Sequence, residues 1–205
     1  MSQHDSGTID TSGGPHHSDE PAHADDFDLL DRVVLITGGT KGIGAVLVQQ
    51  FLDWGANVMT CGRNEPAELA VSGGRTAGFM AADVRDPDQA AALVDETVER
   101  FGRIDAVINN AGGSPPTDAA TASPRFSESI IRLNLLAPLH VAQRANHHMQ
   151  LGGGGVIVNI ASVSGTRPSP GTAAYGAAKA GLLNLTASLA VEWAPAVRVV
   201  AVVAG

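Results

Sequence analysis

Tyr175, Lys179 and Ser162 are residue types from which proton-transfer chemistry can be built. Tyr175 is the only tyrosine of the chain and Lys179 is one of two lysines. They stand four positions apart in a stretch with helical spacing, so both project from one helix face. A free tyrosine titrates at about 10, too high for efficient acid–base work at neutral pH. A fixed ammonium within a few ångströms favours the phenolate and lowers that value. Ser162 lies thirteen residues before Tyr175, at the end of a β-branched run, where its hydroxyl could hold a carbonyl oxygen beside the phenol. A Tyr-x-x-x-Lys pair alone is an ordinary surface helix contact. The serine upstream, together with a second cluster near the N-terminus, changes its meaning.

That second cluster is the turn Thr37-Gly38-Gly39-Thr40-Lys41-Gly42-Ile43-Gly44. An apolar stretch, Val33-Val34-Leu35-Ile36, precedes it and reads as a buried parallel strand. Residues 45–54 follow with helical apolar spacing and stop at Gly55. Such a strand–turn–helix aims backbone N–H groups and the positive helix end at an anion, and the missing Cβ atoms let a pyrophosphate approach. Without a ligand the same residues would be only a tight βα connection. The glycine spacing is G-x-x-x-G-x-G rather than the commoner G-x-G-x-x-G.

These clusters need a scaffold, and the rest of the chain supplies its pattern. From Arg32 onward, strands expected at about 32–37, 56–61, 76–81, 104–109, 156–160 and 197–203 alternate with helices. The helices fall at about 42–54, 87–101, 124–150 (bent at Pro138) and 173–194. Alternation of this kind predicts an α/β fold, a doubly wound, Rossmann-like parallel sheet with right-handed crossovers. Ligands of such sheets lie beyond the carboxyl ends of the strands. The glycine turn, Gly62-Arg63, Asp83-Val84, Asn109-Asn110-Ala111-Gly112 and Ser162 all fall there.

The chain of 205 residues suits one such domain, at 28–205, behind an acidic tail at 1–27. Eight of the 21 acids lie before Arg32 and none of the 13 basic residues does, so the tail is acidic and the remainder formally neutral. Neither part has the basic stripe that nucleic-acid binding requires. The tail is polar enough to be disordered, and the irregular spacing of His4, His16, His17 and His23 argues against a metal site. No apolar run is long enough to span a membrane, and no secretory signal opens the chain. The single cysteine, Cys61, fits a reducing, cytoplasmic location.

The motifs TGGTKGIG, NNAG, and a serine thirteen residues before YGAAK, in this order, resemble the short-chain dehydrogenase/reductase family from Arg32 to Gly205. The resemblance implies an enzyme that moves hydride between a nicotinamide and a ketone or secondary alcohol. It makes Tyr175 the acid/base and Ser162 the group that orients the substrate oxygen. Lys179 would bind the nicotinamide ribose and lower the tyrosine pKa, and Asn134 would hold a water in a proton relay. Thr37, Gly38, Thr40, Lys41, Gly42, Ile43 and Gly44 would bind the cofactor. Asp83 and Val84 would meet the adenine, and Asn110, Ala111 and Gly112 would line the adenosine side. Similar proteins pair as homodimers or homotetramers through the helices expected at 124–150 and 173–194.

The cofactor follows from charge. An NAD site places an acid about 20 residues past the glycine turn. Here Arg63 stands nineteen residues past Gly44, and Lys41 sits inside the turn. Two cations at these points suit a 2′-phosphate, so NADP(H) is expected. The family usually reads Asn-x-x-x-Pro-Gly after its sixth strand, where Val200 and Ala204-Gly205 stand here. It then continues into a substrate-covering segment and a seventh strand. The expectation is a chain lacking that segment, with its last strand an aggregation-prone edge. A non-catalytic dinucleotide-binding or interaction module is the alternative function. The loops 113–117 and 165–170, with Arg167 the one anion-binding candidate, are expected to rim the pocket for a small carbonyl or alcohol substrate.

Overall fold

The structure, a computed structural model, describes Met1 and residues 29–205. The expectations for the acidic tail and its histidines therefore lie outside the described residues. The chain runs β1 (Val33–Thr37), α1 (Gly42–Asp53), β2 (Asn57–Gly62), β3 (Val71–Ser72), β4 (Arg75–Thr76), β5 (Gly78–Ala81), α2 (Pro87–Phe101) and β6 (Ala106–Asn109). It continues through α3 (Pro124–Ile131), a π-helical turn (Arg132–Leu136), α4 (Ala137–Gly152), β7 (Gly155–Ser162), a 3-10 turn (Val163–Gly165), α5 (Ala173–Glu192) and β8 (Val197–Ala204).

Six strands form one sheet in the order β5-β2-β1-β6-β7-β8, and every pairing is parallel. The chain winds outward from β1 to β5, then returns to place β6 against the other side of β1. The strand order thus reverses between β1 and β6, which opens a crevice at their carboxyl ends. All five residues of β1 are buried, as a strand covered on both faces requires. One face packs Leu35, Met59 and Val107 against Leu93, Val141, Met149 and Leu189 of α2, α4 and α5. The other packs Val34, Ile36 and Val58 against Val48 and Leu52 of α1.

Two local features differ from the sequence expectation. Residues 71–76 form a small antiparallel hairpin, β3–β4, ahead of β5, where the sequence suggested a strand beginning at 76. Its tip is Gly73-Gly74, both at positive φ, as a tight two-residue turn requires. The long helix runs from α3 into α4 through the π-helical turn, which stands just before Pro138: the Ala137 N–H reaches back five residues to Arg132 O. In α5, Ala178 and Leu182 are buried, and the solvent face carries Ala173, Ala177, Ala180, Asn184, Ala187 and Val191. No helix among the described residues is long and apolar enough to cross a membrane.

β8 lies at the sheet edge, and its register places Val200 beside Val158 and Val202 beside Ile160. Val200 and Val202 are about half exposed (46% and 51%), on the face shared with α1. Apolar surface on β8 is therefore open on a sheet face as well as along the edge.

Candidate active site

The glycine turn is built by close backbone approach. A Cβ on Gly39 would stand 2.1 Å from Thr60 Oγ1 and 2.6 Å from Val48 Cγ2; one on Gly44 would stand 2.3 Å from Gly38 O. Thr60 explains the first contact. Its hydroxyl donates to Ile36 O at 2.7 Å and accepts from Gly39 N at 3.0 Å, which pins the turn to β1 and β2. Sequence reading passed over Thr60; its signal was a lone hydroxyl inside the apolar run of β2, 2% exposed.

On its outer side the turn is open. A Cβ on Gly42 would meet nothing within 4 Å, and Ile43 is 59% exposed. Asp86 caps α2 and Ser123 caps α3, but no side chain caps α1 and no acid lies in its first turn. Uncapped donors, the positive helix end and an unobstructed approach fit an anionic dinucleotide. Thr37, Gly38, Thr40, Lys41, Gly42, Ile43 and Gly44 are thus gathered at one mouth.

The segment after β6 closes against this turn. Asn110 donates through Nδ2 to Thr37 O at 3.0 Å and Gly38 O at 3.2 Å. Thr37 Oγ1 accepts from the N–H groups of Asn110 at 3.1 Å and Ala111 at 3.0 Å. Beneath it runs a buried chain that sequence reading did not find. Asn109 Nδ2 donates to Asn159 Oδ1 at 2.9 Å, Asn159 Nδ2 to Thr186 Oγ1 at 2.9 Å, and Thr186 Oγ1 to Leu182 O at 2.7 Å. It ties β6, β7 and α5 into one frame. Asparagines inside otherwise apolar strands were its sequence signal.

Asn134 lies in the π-helical turn and is fully buried. Its side chain accepts from Gly113 N at 2.8 Å and donates to Gly113 O at 3.0 Å and Ile130 O at 2.9 Å. The amide is therefore committed to clamping the loop after β6. A Cβ on Gly112 would stand 2.8 Å from Asn134 Oδ1 and 3.4 Å from Lys179 Nζ, so Gly112, Asn134 and Lys179 converge there.

Lys179 is 3% exposed. Its ammonium donates to Ile160 O on β7 at 2.6 Å and stands 5.7 Å from the centre of the Tyr175 ring. Burial lowers its pKa to about 8. Tyr175 is half-buried on the same face of α5. Ser162 ends β7 and starts the 3-10 turn, its hydroxyl accepting from Ser164 N at 3.2 Å. Among the described residues the hydroxyl hydrogen has no acceptor and can point at a ligand.

At the other end of the crevice, Arg63 and Lys41 are exposed and Val84 is buried. The Asp83 carboxylate is gripped by Arg85, with Arg85 Nε at 2.9 Å and 3.0 Å from its two oxygens. Hydrogen bonds from Arg85 hold Asp83 below the usual carboxylate range against the opposing effect of burial. The two rim loops meet where Thr117 N donates to Gly171 O at 2.8 Å. Arg167, within the second of these loops, lines a groove of about 410 Å³ shared with Gly176, Ala177 and Ala180 rather than with Tyr175 or Lys179.

A doubly wound parallel sheet with this glycine turn at its switch point defines a Rossmann-like dinucleotide-binding protein. Its relatives refine the class. Residues 32–205 match the short chain dehydrogenase family, and the chain belongs to that family. An uncharacterized oxidoreductase of Mycobacterium tuberculosis is 36% identical over 188 residues, 88% of this chain and 71% of that protein. The 3-oxoacyl-acyl-carrier-protein reductase FabG of Chlamydia muridarum is 34% identical over 80% of this chain and 68% of its own. Among solved structures, the ligand-free aldohexose dehydrogenase of Thermoplasma acidophilum superposes with a TM-score of 0.80 at 31% identity, covering 86% of this chain and 68% of that one. An NAD+-bound xylitol dehydrogenase does so with a TM-score of 0.80 at 28% identity, over 85% and 70%. The family places the chain among oxidoreductases that use a nicotinamide dinucleotide.

Proposed function

We propose that the chain is an NADP(H)-dependent oxidoreductase that interconverts a ketone and a secondary alcohol, with Tyr175 as the acid/base. The observation that carries this reading is the buried Lys179 ammonium, 5.7 Å from the Tyr175 ring at the carboxyl end of β7. A charge so placed has little structural use of its own, because burying it costs free energy that one carbonyl contact offsets only in part.

The bound nicotinamide supplies the hydride in reduction and takes it in oxidation. In reduction the Tyr175 hydroxyl gives its proton to the carbonyl oxygen as the carbon becomes a secondary alcohol, and in oxidation it receives that proton. Ser162 donates a hydrogen bond to the same oxygen and fixes it beside the phenol. Lys179 stabilises the phenolate left behind by simple charge attraction and holds the ribose hydroxyls. Asn134 keeps the loop at Gly112 and Gly113 against Lys179, so the relay side of the site keeps its shape. The cofactor choice rests on Arg63, an exposed cation where an NAD-selective site would carry an acid, and on Lys41, exposed in the glycine turn. Asp83, Val84, Asn110, Ala111 and Gly112 complete the adenosine side. The exposed small-residue stripe of α5 and the long helix of 124–150, whose α3 part lies beside α5, would pack against a second copy of the chain in an isologous contact.

NADPH oxidation across a panel of ketones tests the proposal. Turnover should be lost in Tyr175→Phe while NADPH binding persists; activity within about tenfold of the parent would assign the acid to another group.

A further inference from the structure

We propose that Arg85 is a third cation for the 2′-phosphate, added to Lys41 and Arg63, positioned beside Arg63 and attenuated by Asp83; this rests on the NADP(H) reading above. Parallel pairing of β2 and β5 runs to Gly62 opposite Ala81 and is extended by the Ala82 N–H donating to Gly62 O at 3.0 Å. Arg63 and Asp83 therefore leave adjacent strands side by side at the carboxyl edge of the sheet, beyond the glycine turn. Arg63 lies close enough for its charge to act on the Asp83 carboxyl.

Arg85 reaches Asp83 in four ways. Its Nε bonds both carboxylate oxygens at 2.9 Å and 3.0 Å, Nη2 bonds Oδ2 at 2.5 Å, and its backbone N–H bonds Oδ1 at 3.1 Å. The single Nε–H is shared between the two oxygens, so three N–H groups of Arg85 engage both oxygens and take most of the about four lone-pair sites of the carboxylate. Asp83 thus keeps little acceptor capacity for the amino group of an adenine. The guanidinium is filled on one edge only. Its Nη1 edge makes no hydrogen bond among the described residues, and the side chain is 35% exposed. A planar guanidinium with one free fork, next to another arginine, is the arrangement that grips a phosphate dianion. Asp83 then tunes the pair: its negative charge orients Arg85 and weakens the local positive field.

The test uses nucleotides that differ only in the phosphate, so no turnover is needed. Calorimetric titration would compare 2′,5′-ADP with 5′-AMP for the parent chain, Arg85→Gln, Asp83→Asn and Arg63→Ala, each checked for folding by circular dichroism. Arg85→Gln should lose about tenfold in 2′,5′-ADP affinity and leave 5′-AMP unchanged, the loss expected for one charge-assisted contact. Asp83→Asn should raise the ratio of 2′,5′-ADP affinity to 5′-AMP affinity. An equal loss for both nucleotides in Arg85→Gln would overturn the proposal and leave Arg85 as a support for the adenine pocket. Preference for 2′,5′-ADP that survives Arg85→Gln but not Arg63→Ala would overturn it while sparing the NADP(H) reading. No preference in the parent chain would sink both.

Discussion

The Thr60 hydroxyl holds the Gly39 N–H at 3.0 Å while donating to Ile36 O at 2.7 Å, so one side chain of β2 sets the height of the phosphate-facing turn above β1. The Gly39 amide is buried and Thr60 is its acceptor. Thr60→Val keeps the shape and removes the hydroxyl, stranding that donor. The expected cost is about 1–3 kcal/mol of stability, with weaker dinucleotide binding as the turn loosens. Thr60→Ser should behave as the parent does. Chemical denaturation and nucleotide titration of both variants would check it, and an unchanged Thr60→Val would show that the pin is dispensable.

Asn134 should act on the loop after β6 rather than on the sheet. Asn134→Ala leaves Gly113 N, Gly113 O and Ile130 O without their side-chain partner. Hydrogen exchange at the Gly113 amide should accelerate by more than tenfold while amides of β1 and β6 stay protected, since local opening is separable from global unfolding. Uniform acceleration throughout the sheet would mean that Asn134 supports the whole fold.

Lys179 should imprint a pH dependence on the ligand-free protein. Burial lowers its pKa from 10.5 to about 8 in the folded chain. Between these values the unfolded chain keeps a proton that the folded chain has released, so the Lys179 contribution to stability rises with pH across that interval. Below about 8 both states are protonated and the cost of burying the charge is fully present. Thermal unfolding of the parent and of Lys179→Met across this range should differ in slope, the variant being flatter. Parallel curves would place the ammonium in a better-solvated position.

Assembly should depend on the solvent stripe of α5. Ala173, Ala177, Ala180, Asn184 and Val191 repeat at helical spacing, and Val191 is 83% exposed. The parent chain is expected to be a dimer or larger in light scattering at micromolar concentration, and Ala180→Arg to shift it towards monomer without loss of helicity. A monomeric parent would remove this surface from the account.

The sequence by itself determined the alternating strands and helices, the glycine turn and the placement of Tyr175 and Lys179 on one helix face. These follow from local periodicity and backbone chemistry, which a stretch such as Val33–Thr37 followed by Gly38-Gly39 carries within itself. Which partner each polar side chain takes was decided only in three dimensions. Thr60 and Gly39 are twenty-one residues apart, Asn134 and Gly113 also twenty-one, and Asn109 and Asn159 fifty. Nothing local selects those pairs; they form because the crossover of β6 to β1 and the π-helical turn bring buried donors and acceptors together, where leaving them unpaired would cost more than ordering them. Asp83 is the sharpest instance. Its place at the end of β5 was legible from the chain, but only the folded structure shows both its carboxylate oxygens engaged by Arg85, because that depends on a side-chain conformation that backbone pattern does not encode.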